Sequence, residues 1–194
     1  MDTYGVPHNS PDNANPSFIV NEQLLSKRWQ HLLRCKQEFL TDESVDPRKL
    51  PGLSRAVADS WLRARRRGVD PYKVVKKPQL TARELQEIRR QREPLIAATE
   101  ALIAKLQDIL SDCGYILYLV DPTGVILVHE GDWKRNRPFP EYGSRVGVIA
   151  NEETIGTNAH ELSIKLKRPV QLLGPEHYAV VIQNNIAFIR VRLN

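Results

Sequence analysis

The sequence predicts an α+β chain, in which a helical N-terminal region leads into an antiparallel sheet flanked by helices. Three observations carry this. Apolar residues recur at helical spacing through residues 18–112. After Cys113-Gly114 the pattern changes to β-rich runs. A single short capped segment, from Thr157-Asn158 to about Lys167, then separates two groups of strands.

Residues 1–17 carry three prolines and many Asn, Ser and Asp, with almost nothing to bury, and are expected to be a disordered tail. From Phe18 to about Leu40, the residues Ile19, Leu24, Leu25, Trp29, Leu32, Leu33 and Phe39 recur at roughly helical spacing. A polar break follows. A second helix is expected from near Leu53 to Arg67, with Val57, Trp61 and Leu62 as its stripe and Gly68 at the left-handed cap position. Pro71 prevents its continuation.

A long helix is expected over 81–112. Thr81-Ala82-Arg83-Glu84 matches a capping box. Heptad counting gives Leu85, Ile88, Arg92, Leu95, Thr99, Leu102, Leu106 and Ile109, six of these eight apolar. Pro94 is expected to kink the helix or split it, since it lacks an N–H and clashes with the preceding turn. The seam can pack on the chain's own globular part or on the same helix of a partner, and a homodimer is expected. Tyr115–Val120 and Val125–Val128 read as strands around the turn Asp121-Pro122-Thr123-Gly124. Later strands are expected at Val170–Leu173, Ala179–Gln183 and Ile186–Leu193. The organisation is thus a tail (1–17), a helical region (18–112) and a sheet domain (113–194).

Composition sets limits on function. The 194 residues are 41% hydrophobic and 26% charged, which fits a globular chain with polar additions. No apolar run approaches the roughly 18–20 residues of a membrane span. The N-terminus lacks a basic n-region and an apolar h-region, so a cytoplasmic protein without membrane contact is expected. Cys35 and Cys113 are too far apart in sequence and too few for a disulfide framework or a cysteine-rich zinc site. The net charge of +5 is uneven. Arg55, Arg63, Arg65, Arg66, Arg67, Lys73, Lys76 and Lys77 face only Asp59 and Asp70 within 55–77. That excess attracts phosphates or an acidic surface, or else forms a solvated helix face; direct nucleic-acid binding by helix 53–67 is one reading left open.

Catalytic motifs are missing. There is no phosphate loop, dinucleotide fingerprint, H-E-x-x-H or G-x-S-x-G. His129-Glu130, His160-Glu161 and Glu176-His177 are adjacent pairs, and neighbouring side chains do not converge on one metal. No enzyme, catalytic residue, metal or cofactor is expected. The informative stretch runs from Gly147 to Tyr178. Glu152, Thr154, Thr157, Asn158 and His177 are polar groups in and after loops around an otherwise apolar sheet, as a small-molecule pocket requires. The alternative is that Thr157 and Asn158 only cap a helix, Gly156 only makes a turn and Glu152 is solvated.

The block Glu152 to Ala159 (E-x-x-x-G-T-N-A), then Arg168-Pro169-Val170 and G-x-E-H-[FY] at Gly174–Tyr178, resembles the GAF sensory domain of sigma-54-dependent activators. It is most similar to the branch of acetoin-catabolism and dihydroxyacetone-kinase-operon regulators. Ser60-Trp61 with Arg63, Arg67-Gly68-Val69-Asp70-Pro71, Leu80–Leu85 and Val120–Leu127 with Gly131-Asp132 resemble elements around and within that domain. The likeness covers about residues 50–180. It implies a GAF-like sheet that binds a small metabolite, with Trp133, Glu152, Thr154, Asn158, His177 and Tyr178 as the expected ligand-binding residues. Departures are Ala150 where such domains carry Trp, and His160-Glu161 in a normally small, apolar helix start. They point to the alternative of a GAF-like protein-interaction or dimerisation module without a ligand. The resemblance also implies an N-terminal sensory fragment, truncated at its C-terminus. Sigma-54 RNA polymerase and DNA would then be reached only through ATPase and DNA-binding domains that this sequence lacks.

Overall fold

The fold is α+β, in a computed structural model that describes residues 22–73, 78–110, 116–131, 145–180 and 188–190. The expected tail lies outside the described residues. Helix α1 spans Glu22–Thr41. Leu32 and Phe39 are fully buried on its inner stripe, and Lys36 lies between them, also buried. Helix α2 spans Arg55–Arg66, started by the Ser54 hydroxyl accepting from Val57 N–H. It ends at Gly68, whose φ of +70° belongs to the left-handed region favoured by glycine.

The long helix is two helices. α3 (Ala82–Gln91) begins with the expected capping box, in which Thr81 Oγ1 accepts from Glu84 N–H and the Glu84 carboxylate accepts from Thr81 N–H. α4 (Glu93–Leu110) follows, with Pro94 in its first turn, where a missing N–H breaks no helical bond. The heptad seam divides accordingly. Ile88 and Leu106 pack against the chain's own sheet, whereas Leu95 and Leu102 face solvent.

Strands β1 (Ile116–Val120) and β2 (Ile126–Gly131) form an antiparallel hairpin. Its turn is fixed by the Asp121 carboxylate accepting from the N–H groups of Thr123 and Val125, at 2.8 and 3.0 Å. Bridges from Val125 to Ile149 and from Gln79 to Val148 extend the pairing. One side of this layer packs Leu117, Leu119, Val125 and Leu127 on Ile96 and Ile103 of α4. Ile126, Val148 and Ala150 cluster with Tyr118, Val120 and Ile155 apart from that group.

Two short helices follow, α5 (Glu152–Ile155) and α6 (Ala159–Leu166), then β3 (Val170–Leu172), paired antiparallel with β4 (Phe188–Arg190). The strand expected at Ala179–Gln183 does not form over its described part. Val180 N–H donates instead to Pro71 O at 2.7 Å, tying this segment to the end of the α2 region. The largest core cluster joins Phe39, Val57, Trp61 and Ala64 of the helices to Ala159, Leu162, Val170, Leu172 and Tyr178 of the sheet domain. The hydrophobic core therefore crosses the 112/113 boundary. Among the described residues no helix is long and apolar enough to cross a membrane.

Candidate functional site: a charged clasp between helix α2 and the sheet domain

Residues Ser60, Arg63 and Arg67 follow i, i+3, i+7 spacing, which places them along one face of α2 and just past its end. They meet Glu152, the first residue of α5, 1% exposed. Its carboxylate accepts from Arg63 through Nε at 3.0 Å and Nη2 at 2.7 Å, from Arg67 at 3.4 Å, and from Ser60 Oγ and Lys165 Nζ. The fork on Arg63 is the bidentate arrangement in which guanidinium and carboxylate geometries match. Burial pushes the Glu152 carboxyl up, but the bonds from Arg63, Lys165 and Ser60 outweigh it and hold the group at about 2. Glu152 is therefore ionised throughout the neutral range.

Neighbouring residues complete the clasp. Glu161, on α6, accepts from Glu152 N–H and pairs with Lys165 at 3.0 Å. Thr157 Oγ1 donates to Ser60 Oγ at 2.8 Å, so the buried hydroxyl of Ser60 links Thr157 to Glu152. Asn158 caps α6 by accepting from Glu161 N–H, and its amide donates to Gly156 O at 2.9 Å. Gly156 has φ +68°, and a Cβ there would lie 2.5 Å from Tyr178 Cβ and 2.7 Å from Cδ1. The glycine is needed because Tyr178 lies directly against its backbone.

A second junction binds residues 174–180. Trp61 is fully buried against Phe39, with ring centroids 5.3 Å apart, and its indole N–H donates to Glu176 O at 2.8 Å. Lys36 Nζ donates to the carbonyls of His177 at 2.7 Å and Ala179 at 3.4 Å. Arg28 lies 3.8 Å from the Glu176 carboxylate. Burial holds His177 neutral, at about 4, and raises Glu176.

The six expected ligand-binding residues are therefore distributed as follows. Glu152, Asn158, His177 and Tyr178 are all buried; Glu152 meets α2 and Tyr178 lies in the core shared with the helices, whereas Asn158 bonds to Gly156 and Glu161 of its own segment. Thr154 is half-buried and serves the α5 cap, accepting from Asn151 N–H at 3.1 Å. Trp133 lies outside the described residues. Sequence reasoning missed Ser60 and Arg63 as partners of Glu152, and Lys36 altogether. The signals were there: Ser60 and Arg63 belong to the S-W-x-R element, and Lys36 lies four residues after Leu32 and three before Phe39 on an apolar stripe.

Within the basic segment, three arginines bond back onto the protein, while Arg55, Arg66 and Lys73 are exposed. Arg63 and Arg67 hold Glu152, and Arg65 stacks over Phe39 at 3.5 Å and donates to Phe39 O and Glu43 O. Arg55 pairs with Asp59 at 3.1 Å. Among the described residues, no group of three or more His, Cys, Asp or Glu side chains gathers as a metal site. An open cleft of about 210 Å³ lies beside the clasp, between the β1–β2 turn, Asn151 and Glu153, and His160, Glu161 and Ile164 of α6.

No protein-family model matches the chain. It is 24% identical over 148 residues to the acetoin dehydrogenase operon transcriptional activator AcoR of Bacillus subtilis, covering 76% of this chain and 24% of that protein. It is 26% identical over 148 residues to the propane 2-monooxygenase operon transcriptional activator MimR of Mycolicibacterium smegmatis, covering 75% of this chain and 23% of that one. The chain thus spans about a quarter of the length of these relatives. Among solved structures, the E. coli DhaR(N)–DhaL complex matches with a TM-score of 0.63 at 21% identity, over 68% of this chain and 44% of that one. The chain is a relative of operon transcriptional activators over most of its length, in agreement with the resemblance carried by its motifs.

Proposed function

We propose that this chain is the signal-receiving region of a cytoplasmic transcriptional activator, without enzymatic activity, and that it receives its signal as a GAF-like module through contact with a partner protein. One observation carries the choice of partner over metabolite. Of the polar residues expected to face a small molecule, Glu152 is taken up by α2, while the buried side chains of Asn158 and His177 bond within their own segments, to Gly156 O and Glu161 N–H and to Gly174 O. A side chain that is buried and hydrogen-bonded internally gains nothing from a ligand it does not touch. The matching DhaR(N) structure is itself a complex with another protein, which is a precedent for this form of input. The clasp then relays the event, because a partner that prefers one arrangement of α2 against Glu152 shifts the population toward that arrangement. In this reading the sigma-54 machinery and DNA are reached through other parts of a longer protein.

A metabolite remains the second reading, supported by the cleft of about 210 Å³ beside α6. Its polar lining of Asn151, Glu153, His160 and Glu161 suits a small polar compound. Dimerisation belongs to either reading, with Leu95 and Leu102 of α4, 38% and 57% exposed, as the surface a second copy would cover. The test is native mass spectrometry of the chain purified from its own cells after mild cross-linking. The proposal expects a defined protein attached to the chain and no small adduct. An adduct of metabolite mass on a chain without a protein partner would establish the second reading instead.

A further inference from the structure

We propose that helix α1 is held to the sheet domain by a proton-responsive latch, in which Lys36 seats on the backbone of residues 177–179 and proton uptake by its amine favours release of the helix. The side chain is 2% exposed, and its Nζ is held by two backbone carbonyls, those of His177 and Ala179. Among the described residues no carboxylate lies within ion-pair distance of it. An amine donates to carbonyls whether charged or neutral, but a buried ammonium without a counter-ion bears a desolvation cost that the neutral amine does not.

The surrounding groups offer little compensation. These are Glu176 and His177 of the facing segment, with Arg28 of α1 near the Glu176 carboxylate and His160 of α6 acting on His177. The Glu176 carboxylate is turned to Leu173 N–H, at 2.7 Å, and toward Arg28. Burial lowers Lys36 from its ordinary 10.5 to about 7 and keeps His177 neutral beside it. The sign follows from linkage. A released α1 returns Lys36 to water and binds the proton up to about 10.5, while the docked helix binds it only below about 7. Release therefore takes up a proton between these limits, and docking strengthens as pH rises through the window.

The experiment uses the intact chain in two measurements. Hydrogen-exchange protection of α1, taken relative to α4, is followed from about pH 7.5 to about 9.5, and the Lys36 amine is titrated by NMR on isotopically labelled lysine. The latch predicts relative protection of α1 rising by up to about tenfold per pH unit, and an amine midpoint near neutrality. Lys36→Gln, which keeps N–H donors for the two carbonyls but has no titration, should flatten the profile. A flat wild-type profile, a slope retained in Lys36→Gln, or an amine that titrates above about 9.5 in the native chain would overturn the proposal. If Lys36→Gln fails to fold, the wild-type titration decides alone.

Discussion

Helices α2 and α4 both lie against the sheet domain, and they are held there by different physics. α4 presses Ile96 and Ile103 onto Val125 and Leu127, an apolar seat. α2 adds to its apolar residues, Val57, Trp61 and Ala64, a line of polar ones that grips Glu152. Apolar contact scales with the area removed from water and is indifferent to acid and moderate salt. A buried carboxylate held by Arg63, Lys165 and Ser60 fixes register and fails when its charge is removed. In the proposed reading the α4 interface is the constitutive attachment, and the α2 interface is the one whose arrangement a partner shifts. That is the property a signal-receiving region requires.

The largest expected effect comes from Trp61→Ala. It empties the centre of the shared core and frees Glu176 O, at a cost of about 4 kcal/mol in chemical denaturation. Ile103→Ala on the apolar side should cost about 3 kcal/mol, with no change in how stability responds to salt or acid. Glu152→Gln should cost about 2 kcal/mol, less than a fully buried pair would, because Arg63 and Lys165 are about one-third exposed. A loss from Ile103→Ala that varied with salt would blur the contrast between the two helices.

The acid response sharpens it. The folded Glu152 is held at about 2, below its ordinary 4.5, so its contribution is fully present above pH 4.5 and is lost as pH falls toward 2. Thermal unfolding over that range should show a fall in stability that Glu152→Gln reduces and Ile103→Ala leaves intact.

How much of this was legible in the sequence differs between the two helices. The Thr81 capping box, the Asp121–Gly124 turn, the Asn158 cap and the break at Pro94 are local, and each residue type forces its geometry within a few positions. The partner of Glu152 is not local, since Arg63 lies 89 residues earlier. From sequence Glu152 reads equally as pocket-lining or as solvated; the structure buries it against Ser60, Arg63 and Lys165. Ser60 and Arg63 were legible only as a motif, and Arg63, Arg65 and Arg67 only as a basic run. The fold joins the two motifs: the S-W-x-R element is the complement of the E-x-x-x-G-T-N-A block, with Ser60 touching both Glu152 and Thr157. The four-residue α5 was missed because it is too short to carry a period, although Asn151 caps it through Glu153 and Thr154 N–H.

A double-mutant cycle between Arg63→Met and Glu152→Gln, read by chemical denaturation of the intact chain, tests the clasp most directly. The structure predicts a coupling of about 1–2 kcal/mol, since the bidentate pair is broken by either substitution and the second then costs less. Losses that add to within about 0.5 kcal/mol would show that the two residues act independently, and would contradict the clasp.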